Sequence, residues 1–178
     1  MTRQTGITSG TYERRVFGPG AVSIDDVCIG ATLGGSTLEI NRVFKDTRPD
    51  GALGPVKNFR RLESVDVILT VKLMEVVEEY IVYALAGSSL SNHVITGGEI
   101  AAATYLATVQ LDAEMSGVTA TDENKAVEVE LSNCLVEGPF TLNLPESGEA
   151  VLELKFRAHY SATALTTEPW KITFDPAV

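Results

Sequence analysis

The chain has 178 residues and a formal net charge of −10, with 14 Lys and Arg against 24 Asp and Glu. That length suits one domain, and 44% apolar with 21% charged residues is the balance of a globular protein; no run approaches the ~20 apolar residues of a membrane-spanning helix. Residues 1–61 hold nine Lys and Arg against six Asp and Glu, and residues 62–178 hold five against eighteen, so the body lacks the clustered cations that sustained phosphate binding needs.

The first residues, MTRQTGITSGTYERR, contain no apolar core of a secretory signal, which predicts a chain made and kept in the cytoplasm unless assembly carries it out. Residues 1–20, rich in Thr, Gly and Arg and closed by Gly18-Pro19-Gly20, are expected to form an arm that is poorly ordered in the free monomer. A first strand is predicted over Ala21–Ala31, with Asp25-Asp26 marking a turn or bulge inside it. Leu33-Gly34-Gly35-Ser36 carries a hairpin signal, and Thr37–Val43 alternates Leu38 and Ile40 on one side with Glu39 and Asn41 on the other.

From Arg42 to Arg61 the pattern breaks. This stretch carries six cations, Arg42, Lys45, Arg48, Lys57, Arg60 and Arg61, punctuated by Asp50-Gly51 and Gly54-Pro55, and it reads as a long loop. A loop of this length between strands is uncommon unless it binds something or orders on a partner. A strand follows over Leu62–Met74, with Val65, Val67, Leu69, Val71 and Leu73 on one face and Asp66, Thr70 and Lys72 on the other. The unit as a whole predicts an extended hairpin with an elaborated tip.

Over Glu75–Ala86 the period changes. Val76, Val77, Tyr80, Ile81, Ala84 and Leu85 form one helical stripe, Glu75, Glu78 and Glu79 crowd the first turn, and Gly87 stands where a C-terminal cap belongs. Strands return afterwards: a short edge strand at His93–Thr96, then Ile100–Ala113 with Tyr105, Ala107, Val109 and Leu111 on one face. A polar loop at 115–125 leads into Ala126–Val136, with Val127, Val129 and Leu131 inward, and then into Phe140–Leu144. A turn at 145–148 precedes Ala150–Ala162, with Leu152, Leu154, Phe156, Ala158 and Tyr160 inward, and a last strand lies around Trp170, Ile172 and Phe174. The fold class is mainly β: an antiparallel sandwich or barrel of two packed sheets over a single domain, 1–178, with one flanking α-helix and a long inter-strand loop.

Chemistry is sparse. His93 lies in a Ser/Asn turn and His159 on the outward face of a strand, and neither has Ser and Asp partners placed around it. Cys28 and Cys134 are far apart in apolar, strand-like settings, which predicts two buried reduced thiols and leaves a disulfide open. No zinc-ligand spacing is present, and no glycine cluster has the lysine and helix of a phosphate loop. Catalytic, cofactor and metal sites are therefore not assigned. The charge division has two readings, a solvated acidic surface or a head-to-tail contact in which the basic loop of one copy meets the acidic body of the next.

The run DGALGPVKNFRRLESVDVILTVKLMEV, from Asp50 to Val76, resembles a segment of the tail tube proteins (major tail proteins) of long-tailed bacteriophages. There an aspartate, the G-x-x-G-P-V-K turn and an Arg-rich descent lead into a long strand. The resemblance is densest over residues 20–76. It implies a virion structural protein, not an enzyme, synthesised in the host cytoplasm and assembled with itself as hexameric rings stacked into a hollow tube. Other tail proteins would meet the tube ends, and DNA would be a transient cargo. The inter-subunit loop would comprise Arg42, Lys45, Arg48, Asp50, Lys57, Arg60 and Arg61. An acidic lumen would draw on Glu39, Glu63, Asp66, Glu128, Glu130 and Glu153. The alternatives are a ring-forming tube protein of a secretion system and a small-ligand-binding β-barrel; the second needs a lined cavity where this chain has Val, Leu and Ile.

Overall fold

Long strands with one apolar face need a second apolar surface to cover them, and this chain supplies it by folding one antiparallel sheet over on itself. The computed structural model describes residues 16–115, 127–143 and 150–174. In chain order these form β1 (Val16–Ile24), β2 (Val27–Cys28), β3 (Thr37–Asp46), β4 (Arg60–Leu73), α1 (Glu78–Ala84), β5 (Ser89–Ser91) and β6 (Val94–Thr96). Then come β7 (Leu106–Met115), β8 (Val127–Val136), β9 (Leu142–Asn143), β10 (Val151–Ala158) and β11 (Trp170–Phe174). The main sheet runs β2-β1-β7-β8-β10-β4-β3, with β11 added to β8 and β9 to β10, while β5 and β6 pair separately.

The sheet turns its corner in β8. The first half of this strand pairs with β11, from Phe174↔Val127 to Trp170↔Leu131, and its last residues pair with β10, from Ala158↔Cys134 to Phe156↔Val136. Between the halves Asn133 takes the left-handed conformation, φ 51°. Val127, Val129 and Leu131 point inward, yet Cys134 and Leu135 are both buried, which a strand of period two cannot do without a change of direction. The Asn133 amide donates to the His159 carbonyl (3.3 Å) and the His159 N–H to the Ser132 carbonyl (3.4 Å), fixing the point where β10 leaves.

Two layers result, β2-β1-β7-β8-β11 and β8-β10-β4-β3, sharing one core. Val22, Val109 and Leu131 from the first and Leu69, Leu154 and Phe156 from the second are each 0% exposed. Each such side chain contributes about 1.5–3 kcal/mol by leaving water. The architecture is the expected antiparallel sandwich with one flanking α-helix and a long inter-strand loop. No helix among the described residues is long and apolar enough to cross a membrane.

Several boundaries differ from expectation for identifiable reasons. The expected N-terminal arm 1–20 is shortened, because Val16–Gly20 already belong to β1 and pair with β7 through an irregular register at Phe17/Ala21; residues 1–15, the polar loop beyond Met115 and the turn at 145–148 lie outside the described residues. Asp25 and Asp26 do form a turn, both left-handed (φ 49° and 66°), held by the Thr108 N–H donating to Asp25 Oδ1 at 2.8 Å. Residues 33–36 are not a hairpin. Thr32 bridges Leu73 and Thr37 pairs with Thr70, so both sides of the glycines lie along β4 and the segment bulges from its edge. Cys28 is exposed, because β2 is a two-residue edge in which Ile29, one residue on, fills the core instead; Cys134 is buried as expected, and both thiols are free.

The helix is shorter than the Glu75–Ala86 stripe. Val77 is extended (φ −113°, ψ 157°), and only Ala84 is fully buried, since β-branched Val76 and Val77 at the exit of β4 favour the pleat. Gly87 is left-handed (φ 84°) just past the helix, where a Cβ would lie 3.0 Å from the Glu99 backbone. The strand expected from Ile100 begins at Leu106. Ala102–Thr104 make a 3-10 turn, capped by the Ala101 N–H donating to Thr104 Oγ1 (3.0 Å), and Tyr105 and Ala107 are exposed while Val109 is buried. Of Phe140–Leu144, Leu142–Asn143 form a strand and Leu144 lies outside the described residues, and β10 ends at Ala158, leaving Tyr160 beyond it. His159 is half-buried just past β10: it packs edge-on against Tyr105 (5.2 Å between centroids) with Nδ1 3.2 Å from the Asn133 carbonyl oxygen.

Candidate assembly surface

β3 and β4 pair from Thr37↔Thr70 outward to Asp46↔Arg60. Along the inward face of this ladder Leu38 and Ile40 reach the core, and Arg42 occupies the next inward position, where the core ends. There its guanidinium meets Glu168 at 2.6 Å, and the other Glu168 oxygen accepts the Trp170 Nε1–H at 2.7 Å. Arg42 thus ties the base of the hairpin to the start of β11, in the opposite layer.

Past that clamp a register shift between Val43 and Phe44 places Glu63 as the extra residue, since Val43 pairs with Ser64 and Phe44 with Leu62. The ladder then continues outside the domain as an arm. Its inward face no longer covers a core: Phe44 and Leu62 are 42% and 39% exposed. The Arg60 guanidinium lies 4.5 Å from the Phe44 ring centroid and that of Arg42 lies 5.8 Å away, within the range of cation–π attraction. Arg60 also pairs with Asp46 at 3.3 Å.

The connection itself is residues 47–59. It closes with the Thr47 N–H donating to the Phe59 carbonyl (3.1 Å) and contains a turn from Pro49 to Ala52 and another from Val56 to Phe59. The expected loop, Arg42–Arg61, is therefore part ladder: Arg42 and Lys45 lie on β3, Arg60 and Arg61 on β4, and Arg48, Asp50 and Lys57 in the connection. Leu53 stands fully out of the tip and Phe59 is 44% exposed. Lys45, Arg48, Lys57 and Arg61 have no carboxylate partner among the described residues. The arm thus combines positive charge that has no carboxylate partner among the described residues with exposed large apolar side chains.

The six acidic residues considered as a lining do not come together. Glu39, Asp66 and Glu153 lie on the outward face of β3-β4-β10, Glu128 and Glu130 on that of β7-β8-β11, and Glu63 at the arm's bulge. On the first face cations intervene. Arg157 binds both Asp66 oxygens (2.6 and 2.8 Å) and Glu137 (2.7 Å), and Lys155 meets Glu153 at 3.2 Å. The hydrogen bonds that Arg157 donates to Asp66 and then to Glu137 push its pKa further up, so the guanidinium stays charged. On the second face Glu128 stands opposite Asp112, and Glu130 has Lys171 at 3.9 Å. Arg157 and Glu137 escaped the sequence reading, since each alone is an ordinary charged residue on a strand or beside a turn.

Buried side chains from both layers meet in one core cluster. A cleft of about 610 Å³ lies by Leu33, Lys72, Phe140 and Lys155, at the surface beside β9.

No family model matches the sequence, and no curated protein matches it. Among solved structures the chain is similar to a cryo-EM structure of the anti-feeding prophage cap, described as the AFP tube terminating cap. The likeness has a TM-score of 0.52 at 12% identity and covers 98% of this chain and 100% of that one. What is shared is the fold, over essentially the whole length of both chains.

Proposed function

We propose that this protein is a structural, non-enzymatic subunit of a phage-type tail, which closes into hexameric rings that stack head-to-tail into a tube with DNA as passing cargo. The observation that carries this reading is the β3–β4 arm, which leaves its own domain with a cationic and apolar surface that nothing among the described residues covers. The Asp50–Val76 resemblance to tail tube proteins supports it, as does the fold shared with a tube-terminating cap. In the tube the acidic outward face carrying Glu128 and Glu130 would suit a channel through which DNA slides without sticking, because like charges repel.

A second reading, favoured by the same fold likeness, is a subunit that ends a tube. Negative-stain images of the purified protein distinguish them: a tube subunit gives long stacks, and an end subunit stops at isolated rings. The arm itself is tested by replacing residues 48–57 with an Asn-Gly turn, which retains the Asp46↔Arg60 register. The expected product is a folded monomer that no longer polymerises. Full-length tubes from this variant would remove the arm from the assembly.

A further inference from the structure

We propose that the arm of one copy seats on the pole formed by α1, β5 and β6 of the next copy. This rests on the reading of the protein as a self-assembling tail subunit, and it names the surface that receives the arm. The first ground is position. β4 has 14 residues, roughly 45 Å at about 3.3 Å per residue. Its Arg60 end lies in the arm and its Leu73 end passes through residues 74–77 directly into α1. Arm and pole are thus at opposite ends of one strand, and translating a copy along that strand brings one to the other. Such a contact is heterologous and repeats indefinitely.

The second ground is that the two surfaces match in kind. No Lys or Arg occurs between Lys72 and Lys125. Glu79 and Glu99 are exposed with no cation partner among the described residues, whereas the neighbouring Glu78 is taken by His93 at 2.9 Å. The same pole exposes Val77 and Leu85 at either end of α1, Val94 at 59% and Ile100 at 56%. Opposite them the arm offers Lys45, Arg48, Lys57 and Arg61 around Phe44, Leu53, Phe59 and Leu62. Charge pairs at the rim with apolar contact inside is the usual division of labour in a protein interface. Within the pole the His93–Glu78 contact links the β5–β6 turn to the helix, and the Ser88 hydroxyl donates to the Val82 carbonyl (3.3 Å).

The test uses two full-domain variants, each with one of the two surfaces disabled. The first carries the Asn-Gly replacement of 48–57 and keeps its pole; the second carries Glu79→Lys with Glu99→Lys and keeps its arm. Sedimentation velocity is expected to find each variant monomeric alone and the equimolar mixture converted to a one-to-one complex that grows no further. Phe59→Ser with Leu53→Ser provides a second arm variant with the loop length intact. Wild-type chains that polymerise while the mixture stays monomeric, or a pole variant that polymerises as wild type does, would overturn the seat and leave the tail-subunit reading standing. A wild-type chain that stays monomeric at low salt takes away both.

Discussion

Asn133 holds a backbone conformation, φ 51°, that costs an L-residue about 1–2 kcal/mol, and asparagine is among the few that adopt it routinely. Its amide also bonds the His159 carbonyl at 3.3 Å. Asn133→Ala is expected to lower stability by about 2 kcal/mol, and Asn133→Gly, which keeps the φ and loses only the amide bond, by less. Thermal unfolding ranks the three; an Ala variant as stable as wild type removes the corner from the account. Cys134, a few atoms away in the chain, has its thiol pushed up to about 12 by burial, with the charge of Asp25 adding. The native protein is therefore expected to give one reactive thiol, Cys28, and the denatured chain two. A raised folded-state pKa is a contribution intact at low pH. From about pH 8.5 the unfolded thiol ionises while the native one does not, so stability falls toward pH 12 at up to about 1.4 kcal/mol per pH unit. Denaturant titrations of Cys134→Val across that range should show a flatter alkaline limb than wild type.

Among the elements, β4, β8 and β10 were legible because a half-buried strand writes its period into the sequence: Val67, Leu69, Val71 and Leu73, or Leu152, Leu154 and Phe156, are buried as alternation predicts. The arm was legible as a cationic stretch but not as a ladder. Where neither face of a hairpin is buried by its own chain, polarity no longer separates strand from loop, so Lys45 and Arg61 pair across the ladder although they read as loop. The turn of β8 left no trace beyond an asparagine, and Cys28 looked buried because the apolar run around it fills the core one position later. The bulge at Glu63 sets how the arm leaves the sandwich, since an extra residue bends and twists its strand. Deleting Glu63 keeps Phe44 opposite Leu62 and takes that bend away. The expected result is an unchanged unfolding midpoint with self-association weakened at least ~10-fold, by the ~1.4 kcal/mol that one such step represents; an unchanged association constant would mean that arm direction is irrelevant.

Among the described residues, positive charge is concentrated at one end of β4 and negative charge is spread over the rest. Assembly through exposed pairs of this kind is screened by salt, because the Debye length falls from about 10 Å at 0.1 M to about 3 Å at 1 M. Light scattering is expected to show polymer mass falling as sodium chloride rises, leaving a salt-resistant remainder from Phe44, Leu53, Phe59 and Leu62. Polymer mass that grows steadily with salt would assign the contact to the apolar side chains alone. β4, finally, is hydrogen-bonded on both flanks, to β3 and β10. A tug applied to the tip of the hairpin is therefore resisted by rows of backbone bonds sheared together, instead of peeled one after another. A filament joined through such tips would transmit tension into the middle of every subunit, and stretching it would part the joints before the sheared rows gave way.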